Sequence, residues 1–362
     1  MAFELERYTA PDFDTKFFRA APPARLLPAP GDGVAPDGYH AMSIFPEYFK
    51  VDGRWLMAEE SRMDCVPVYA DGRIRVVEPR RLQKGDLVVC GRSENGRQGI
   101  YLHAHGFDQP QEGREPFVFR QGHSRESSFS RDYDELYDLL RHEREHGKIV
   151  WVMGPAFSFD YDARDAFSRI IAGGFAHAVL EGNSLATHDL EGAYLGTALG
   201  QDIYTGKHVP GGHYHHLDTL NKVRFYGSIA RFIEAEGIDN GIIYSCEKHG
   251  VPYVLAGSIR DDGPLPCVYG DVYRAQDAMR DQVRQATTVI CMATALHSIA
   301  VGNMTPSYRV LPDGTVRKVY FYCVDISEFT VNKLTDRGSL TSRGIVTNVQ
   351  DFIVNIAKGL MV

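Results

Sequence analysis

The chain has 362 residues, of which 44% are hydrophobic and 24% are charged, a composition typical of soluble globular proteins. This length predicts one large domain and a smaller one. The formal net charge is −8, and no basic block occurs. This excludes nucleic acid as the main partner, because phosphate binding depends on clustered Lys and Arg. A small-molecule substrate is expected.

Cysteine usage and the apolar segments indicate a reduced, cytoplasmic protein. None of the six cysteines lies in C-x-x-C spacing, and several lie in apolar runs such as TTVICM, where a free thiol packs as a small hydrophobe. We therefore expect neither disulfides nor a cysteine zinc site. The N-terminal MAFELERYTAPDF is too charged for a signal peptide. The longest apolar stretch, TTVICMATALHSIAVGNM, is shorter than the about 20 residues of a membrane span.

The first part of the chain predicts an arm and a small β-rich domain. Residues 1–40 are rich in Pro, Ala and Gly, which predicts an irregular arm packed against another subunit. Residues 41–130 form the predicted β-rich domain with its linker. FKVDGRWL and PVYADGRIRVV place Asp-Gly between alternating flanks, which predicts two hairpins. LVVCG and GIYLHAH predict further strands.

Residues 131–362 predict a Rossmann-like α/β domain. YDELYDLLRHEREHGK is helical, with Leu136, Leu139 and Leu140 on one face. Apolar strands KIVWVMG, HAVLEG, PYVLAGS, TTVICMA, VYFYCVD and GIVTN alternate with helices, among them HLDTLNKVRFYGSIARFIEAEG. This alternation predicts a doubly wound parallel sheet.

Polar residues follow the predicted strands, at the sheet edge where such folds bind ligands. They are Asn183, Ser184, Thr187, His188, Asp189, Arg260, Asp261, Asp262, Thr294, His297, Asp325 and Asn348. Asp325 is either a ribose ligand or an N-cap. The first strand is followed by VMGPAFSF, without G-x-G-x-x-G. Phosphate is therefore not expected at a standard pyrophosphate loop, although MATALHS offers free backbone amides.

Two further segments leave alternatives open. SIRDDGPLP is either a solvated turn or a site where Arg260 grips a carboxylate and the acids hold an amine or ribose. His297 is either a satisfied core histidine or a catalyst. GGHYHHL carries three histidines, but no further ligands at zinc spacing, so we predict no metal. We expect His213 and His216 to face the substrate and His215 to point elsewhere.

Several long motifs together resemble one family. EGNSLATHDLE, GTALGQDIYTGK, GGHYHHL, VPYVLAGSIRDDGPLP, AQDAMR, ATALHSIAVGNM, CVDI and GIVTNV are similar, in order and spacing, to the LOR/SDH-domain family of NAD-dependent ornithine cyclodeaminases of the archaeal and cyanobacterial type. The resemblance runs from about Phe45 to the C-terminus. It implies an NAD-binding Rossmann-like domain with dinucleotide contacts at Asn183, Ser184, Asp262, Thr294, Ala295, Leu296, His297, Asp325, Asn348 and Val349.

The sequence departs from the family pattern at three places. Family members tend to have Ala at Ser184 and Asp at Asn348. FSFDYDARD stands where members have a Gly-rich loop, and its acids Asp160 and Asp162 are candidates to line the substrate pocket.

The resemblance implies conversion of ornithine, or a related diamino acid, to proline, or a related cyclic imino acid, plus ammonia by internal hydride transfer. This chemistry needs a base, for which His188, Asp189, His213, His216 and Asp261 are candidates. Arg260, Lys207 or Lys222 are candidates to bind the α-carboxylate. The alternatives are an opine- or saccharopine-type NAD-dependent dehydrogenase and a non-catalytic NAD-binding protein. We expect a homo-oligomer without membrane partners.

Overall fold

The computed structural model describes residues 4–107, 130–259, 261, 263–335 and 339–362. Most of the predicted linker, together with Arg260 and Asp262, lies outside these ranges. Within them, no helix has both the length and the apolarity needed to cross a membrane. All six cysteines are free thiols, and all but Cys267 are buried.

The N-terminal part is strand-rich, as predicted. Its elements are α1 (Lys16–Ala20), β1 (Arg25–Pro28), β2 (Glu47–Val51), β3 (Arg54–Met57), β4 (Val66–Ala70), β5 (Arg73–Val77), β6 (Leu87–Cys90) and β7 (Ile100–Leu102). They form two antiparallel sheets, with strand orders β1-β6-β4-β5 and β3-β2-β7. Both predicted Asp-Gly hairpins are present. Asp52 and Gly53 have φ of 50° and 77°, and Asp71 and Gly72 have 53° and 77°, the left-handed pair that a two-residue hairpin loop requires.

The predicted irregular arm is partly built into this module. Strand β1 pairs antiparallel with β6 in the same chain. The buried Lys50 holds the end of α1, because its Nζ donates to the carbonyl oxygens of Phe18, Arg19 and Ala21 at 3.1, 2.9 and 2.7 Å. The expectation of an arm without regular structure is therefore wrong for this segment. Its pairing partner lies about sixty residues away, which local periodicity does not reveal.

The C-terminal part alternates strands and helices. Its helices are α2 (Ser130–His146), α3 (Tyr161–Ala172), α4 (Asn183–Leu195), α5 (His215–Tyr226), α6 (Ile229–Ala235), α7 (Ile242–His249), α8 (Val272–Val283), α9 (Ala295–Met304), α10 (Glu328–Thr335) and α11 (Val349–Leu360). Its strands are β8 (Ile149–Met153), β9 (Ala178–Gly182), β10 (Thr197–Ala198), β11 (Gln201–Asp202), β12 (Tyr253–Ala256), β13 (Thr288–Met292), β14 (Tyr308–Val310), β15 (Val316–Lys318), β16 (Tyr320–Asp325) and β17 (Ser342–Val346).

Six of these strands form one parallel sheet in the order β12-β9-β8-β13-β16-β17. Numbered from β8, this is the order 3-2-1-4-5-6 of the Rossmann fold. Strands β8 and β13 are buried at every residue, which explains their continuous apolar sequences. Helices α2, α3 and α11 cover one face, and α8 and α9 cover the other. The predicted fold class is confirmed.

One predicted helix is interrupted. The stretch HLDTLNKVRFYGSIARFIEAEG forms α5 and α6, separated at Gly227, whose φ is 76°. Ser228 then caps α6 by accepting from the Arg231 N–H. Glycine in the left-handed conformation ends a helix, so the apolar periodicity alone overestimated its length.

The β-rich module packs directly on the Rossmann-like part. The hydroxyl of buried Tyr308, on β14, donates to the Ala58 carbonyl at 2.9 Å. The carboxylate of Glu78 pairs with the buried guanidinium groups of Arg62 and Arg280. A buried tyrosine on β14 and paired charges on α8 thus hold the module against the Rossmann-like part.

Candidate active site

The sheet reverses its strand order between β8 and β13, and the crevice outside the carboxyl ends of these strands is where Rossmann folds bind ligands. In this crevice the backbones that follow β8 and β13 are in close contact. A Cβ built on Gly154, after β8, would overlap the carbonyl oxygen of Ala293, after β13. Ala293 itself has φ of 54°, which non-glycine residues rarely adopt. Such outliers concentrate at functional sites.

The helices that begin at this edge differ in how their N-termini are capped. Asp160 caps α3 by accepting from the Ala163 N–H at 2.8 Å. In contrast, Gly182 before α4 and Thr294 before α9 provide no side-chain cap. The first N–H groups of α4 and α9 are thus available to an anion, whereas the Asp160 carboxylate disfavours one at α3. Asp160 is a helix cap rather than a pocket acid.

The predicted cofactor residues on α4 and α9 lie side by side. Asn183 and Ser184 open α4, and His297 lies in the first turn of α9. A Cβ built on Gly182 would lie 3.1 Å from Cε1 of His297, so the two segments adjoin. Burial lowers the pKa of His297, which favours a neutral imidazole. Thr294 is half-buried, and Ala295 and Leu296 are exposed at the start of α9.

Asp325 and Asn348 lie at or just after the ends of strands of the sheet, but only Asn348 caps a helix. Asp325 ends β16 and accepts from the Ser327 N–H at 2.9 Å, while Ser327 caps α10 by accepting from the Thr330 N–H. The N-cap interpretation of Asp325 is therefore wrong. Asn348 is the N-cap of α11, because its Oδ1 accepts from the Gln350 N–H at 2.7 Å, and Val349 behind it is buried.

The described part of the SIRDDGPLP segment is held by residues of α4 and α5. The Leu265 N–H donates to Oδ1 of Asn183 at 2.9 Å, so the Asn183 side chain anchors this loop. The Arg224 guanidinium, on α5, donates to the carbonyl of Pro264. Asp261 closes the turn by accepting from the Ser258 N–H at 2.8 Å, as in the solvated-turn alternative.

A group of titratable side chains lies on α4 and α5. The buried carboxylate of Glu191 accepts from Nδ1 of His188 at 3.3 Å and from Oγ1 of Thr197 at 2.9 Å. It also accepts the backbone N–H groups of Leu199 and Gly200 at 3.1 and 3.0 Å. Burial alone would raise the pKa of Glu191, but these hydrogen bonds outweigh it and hold the pKa below its usual value.

The GGHYHHL segment reaches this group because of its glycines. A Cβ on Gly212 would overlap Gly200, so the two backbones approach closely. The ring of His216 then lies 4.9 Å from that of His188. His215 bonds through Nδ1 to Thr197 Oγ1 at 2.8 Å.

Two expectations for the histidines therefore need correction. His215, which was expected to point away from the site, contacts the Glu191 group through Thr197. His213 is exposed, and its ring contacts that of Tyr214 instead of lying beside His216. The reason is that His213 precedes α5, whereas His215 and His216 lie on this helix.

Two other predicted catalytic residues are engaged in structural contacts. Asp189 is fully buried, with Oδ1 paired to Nε of Arg164 at 2.8 Å and Oδ2 accepting from the Ile243 N–H at 2.9 Å. Lys222 pairs with Glu236 at 3.0 Å. Neither is free to act as the base or to bind the α-carboxylate.

The segment FDYD contributes an aromatic ring rather than acids. Phe159 packs against His188 with ring centroids 5.2 Å apart, whereas Asp162 is exposed in the first turn of α3. The loop thus borders the histidine group through Phe159.

Sequence reasoning missed Glu191 and Thr197. The signal for Glu191 was the H-x-x-E spacing of His188 and Glu191, since residues three apart meet on a helix surface. Nothing local identified Thr197.

The same group meets the first criterion for a metal site, which the sequence did not predict. Ligand atoms of His188, Glu191 and His216 lie within 4.8 Å of one another. However, each carboxylate oxygen of Glu191 already accepts two hydrogen bonds. Both of its oxygens are therefore saturated, and a cation would have to displace donors.

The strand order and the residues at the switch point define a Rossmann-fold enzyme. The family model described as "Arginine dihydrolase ArgZ-like, C-terminal, Rossmann fold" matches residues 135–356. The chain is 38% identical to an ornithine cyclodeaminase of Methanopyrus kandleri, over 99% of this chain and 82% of that protein. It belongs to this ornithine cyclodeaminase family, as its motifs predicted.

Solved structures of similar proteins support this family assignment. A conserved LOR/SDH protein from Methanococcus maripaludis S2 superposes with a TM-score of 0.85 at 36% identity, covering 94% of this chain and 98% of that one. AgrE in a ternary complex with ornithine and NAD+ gives a TM-score of 0.59 at 33% identity, over 94% of this chain and 46% of AgrE.

Proposed function

We propose that the protein is an NAD-dependent ornithine cyclodeaminase, which converts ornithine to proline and ammonia. Relatives that carry the name ornithine cyclodeaminase, at 37–40% identity, support this. The observation that carries the proposal is the switch-point edge itself. Two helix N-termini without side-chain caps, a strand-end carboxylate and a carboxylate–histidine pair follow one another along it.

The described residues fit NAD in an extended conformation. Strands β9 and β16 are three strand spacings apart, roughly 14 Å, which separates the N-terminus of α4 from Asp325. The amides of α4 or α9 would hold the pyrophosphate, and Asp325 a ribose diol. The capping carboxylate of Asp160 disfavours the usual pyrophosphate position at α3. We retain Asp262 and Val349 as further contacts on the family resemblance.

Bound NAD supplies a hydride acceptor that later returns the hydride to the same carbon. The protein must bind the α-carboxylate, remove a proton from the substrate ammonium and keep water away from the reacting carbon. The candidate bases that the structure brings together are the buried His188 on α4 and the half-buried His216 on α5. Arg260 and Lys207 remain the proposed cations for the α-carboxylate, because Lys222 is already paired. Asp261 remains a proposed partner for the distal ammonium.

Incubation with ornithine labelled with deuterium at Cα tests the proposal. We expect ammonia and proline in equal amounts, only when NAD+ is present, with no net NADH. The deuterium should remain at C2 of proline, because the same hydride leaves and returns. Steady NADH accumulation would instead indicate a dehydrogenase. Failure of ornithine, lysine and 2,4-diaminobutyrate to release ammonia from NAD-loaded protein would refute the proposal.

A further inference from the structure

We infer that His188 accepts the proton from the substrate ammonium and that Glu191 is its positioning residue. The inference deepens the proposed function and rests on it. Both side chains are buried, at 5% and 0% exposure, and they lie on one face of α4. Their neighbours Leu185, Ala186 and Leu190 on α4 are buried apolar residues.

The hydrogen bonds of Glu191 determine the tautomer of His188. Four donors surround the two carboxylate oxygens, and the pKa of Glu191 lies below its usual value, so the group is an anion. An ionised carboxylate only accepts hydrogen bonds. Nδ1 of His188 must therefore carry the proton, which leaves the lone pair on Nε2. This is the arrangement in which a carboxylate orients a histidine base.

The backbone around Glu191 is arranged to hold this carboxylate still. Leu199 has φ of 51° and Gly200 has 71°, so the β10–β11 loop has two left-handed residues, one of them a leucine. Their N–H groups both point to Glu191. The left-handed conformation is unfavourable for a non-glycine residue and persists where surrounding contacts hold it. The loop therefore pre-organises the carboxylate before substrate arrives.

The phase of α4 places His188 beside the proposed cofactor contact. Ser184 and His188 are four residues apart, so they lie on the same helix face about 6 Å apart along the axis. The rings of Phe159 and His216 both pack against the His188 ring, with centroids at 5.2 and 4.9 Å. A proton acceptor at this position is one helical turn from the edge where the hydride acceptor would be bound.

Within the part of the chain that the structure describes, three titratable side chains lie around His188. Glu191 lies on the same helix, His216 approaches from α5, and His215 reaches the group through Thr197. A metal ion is the competing occupant, but it would have to displace a donor from each oxygen of Glu191 that it used.

The test compares variants of the full-length, NAD-loaded protein. His188→Asn should lower kcat for ammonia release about 10²- to 10⁴-fold, the usual contribution of a general base, with NAD+ affinity within twofold of the parent. Its acidic limb in the kcat–pH profile should disappear. His249→Asn, at the exposed end of α7 on the amino edge of the sheet, is the matched control and should be unchanged.

Two variants separate positioning from folding. Glu191→Gln should lower kcat less than His188→Asn and should move the acidic limb to lower pH, because imidazole protonation loses its neighbouring anion. Thr197→Val removes one donor, keeps the side-chain shape, and should give a smaller loss in kcat with an unchanged melting temperature. If Glu191→Gln does not fold, His188→Asn, His188→Gln and Thr197→Val decide the question.

The contrary outcomes are distinct. An active parent enzyme whose His188→Asn variant keeps kcat within threefold refutes the base. One equivalent of Zn²⁺ or Mn²⁺ in the purified protein, with activity lost to a chelator and restored by that metal, assigns the group to a metal instead. A parent enzyme that releases no ammonia from ornithine overturns the proposed function, and this inference with it.

Discussion

Asp189 provides the sharpest test of the distinction between structural and catalytic acids in this fold. The sequence made it a candidate base, but the structure buries it completely against Arg164, which is 3% exposed. Its oxygens engage the Arg164 Nε at 2.8 Å and the Ile243 N–H at 2.9 Å, and its carbonyl accepts from Arg164 at 3.0 Å. The pair links α3, α4 and the start of α7.

Asp189→Ala should therefore destabilise the fold. Breaking a buried ion pair leaves an uncompensated charge and costs about 3–5 kcal/mol, and the Ile243 N–H also loses its acceptor. Because these effects overlap, we expect about 4 kcal/mol in total. At roughly 2 °C per kcal/mol for a chain of this size, the melting temperature should fall by about 8 °C. Differential scanning calorimetry without NAD+ measures this directly.

The control lies on α3, the helix that carries Arg164. Asp165 and Arg169 form an exposed pair at 3.0 Å, and Asp165→Ala should change stability by less than about 1 kcal/mol. The double variant Arg164→Met, Asp189→Leu should recover much of the lost stability, since it removes both charges. An Asp189→Asn variant that melts within 1 °C of the parent yet releases no ammonia would refute this reasoning and return Asp189 to the chemistry.

Three further predictions follow from the site. Gly154→Ala should lower both the melting temperature and NAD+ affinity, because its Cβ would overlap the Ala293 carbonyl, whereas Gly270→Ala, with open space around it, should do neither; calorimetry and fluorescence titration decide. Asp325→Ala should weaken NAD+ binding about tenfold or more in the same titration, and unchanged affinity would contradict the ribose role. Burial and the nearby Asp189 raise the pKa of Glu181 well above its usual value, so its folded form keeps a proton that the unfolded form loses above about pH 4.5. The stability that Glu181 contributes is therefore lost as pH rises. The difference in melting temperature between Glu181→Gln and the parent should favour the variant more at pH 8 than at pH 5, and an equal difference at the two pH values would contradict this.

The sequence predicted where the site lies but not which side chains meet there. The strand-end rule selected the right edge of the sheet, because alternating apolar strands and helices imply a parallel sheet whatever the details. The rule treats all polar residues near a strand end alike. It could not separate Asp189, which packs inward, from Glu191, which faces the histidines, although both lie on α4.

The sequence by itself determined the local elements, both Asp-Gly hairpins, the Rossmann-like class and the family, because these depend on periodicity, turn chemistry and ordered motifs within short stretches. Only the tertiary structure decided which groups meet. The contact of Gly200 with Gly212 brings His215 and His216 to Glu191, and pairing across about sixty residues fixes the N-terminal arm. Such contacts join segments distant in sequence and depend on helix phase and close packing, which no local pattern encodes.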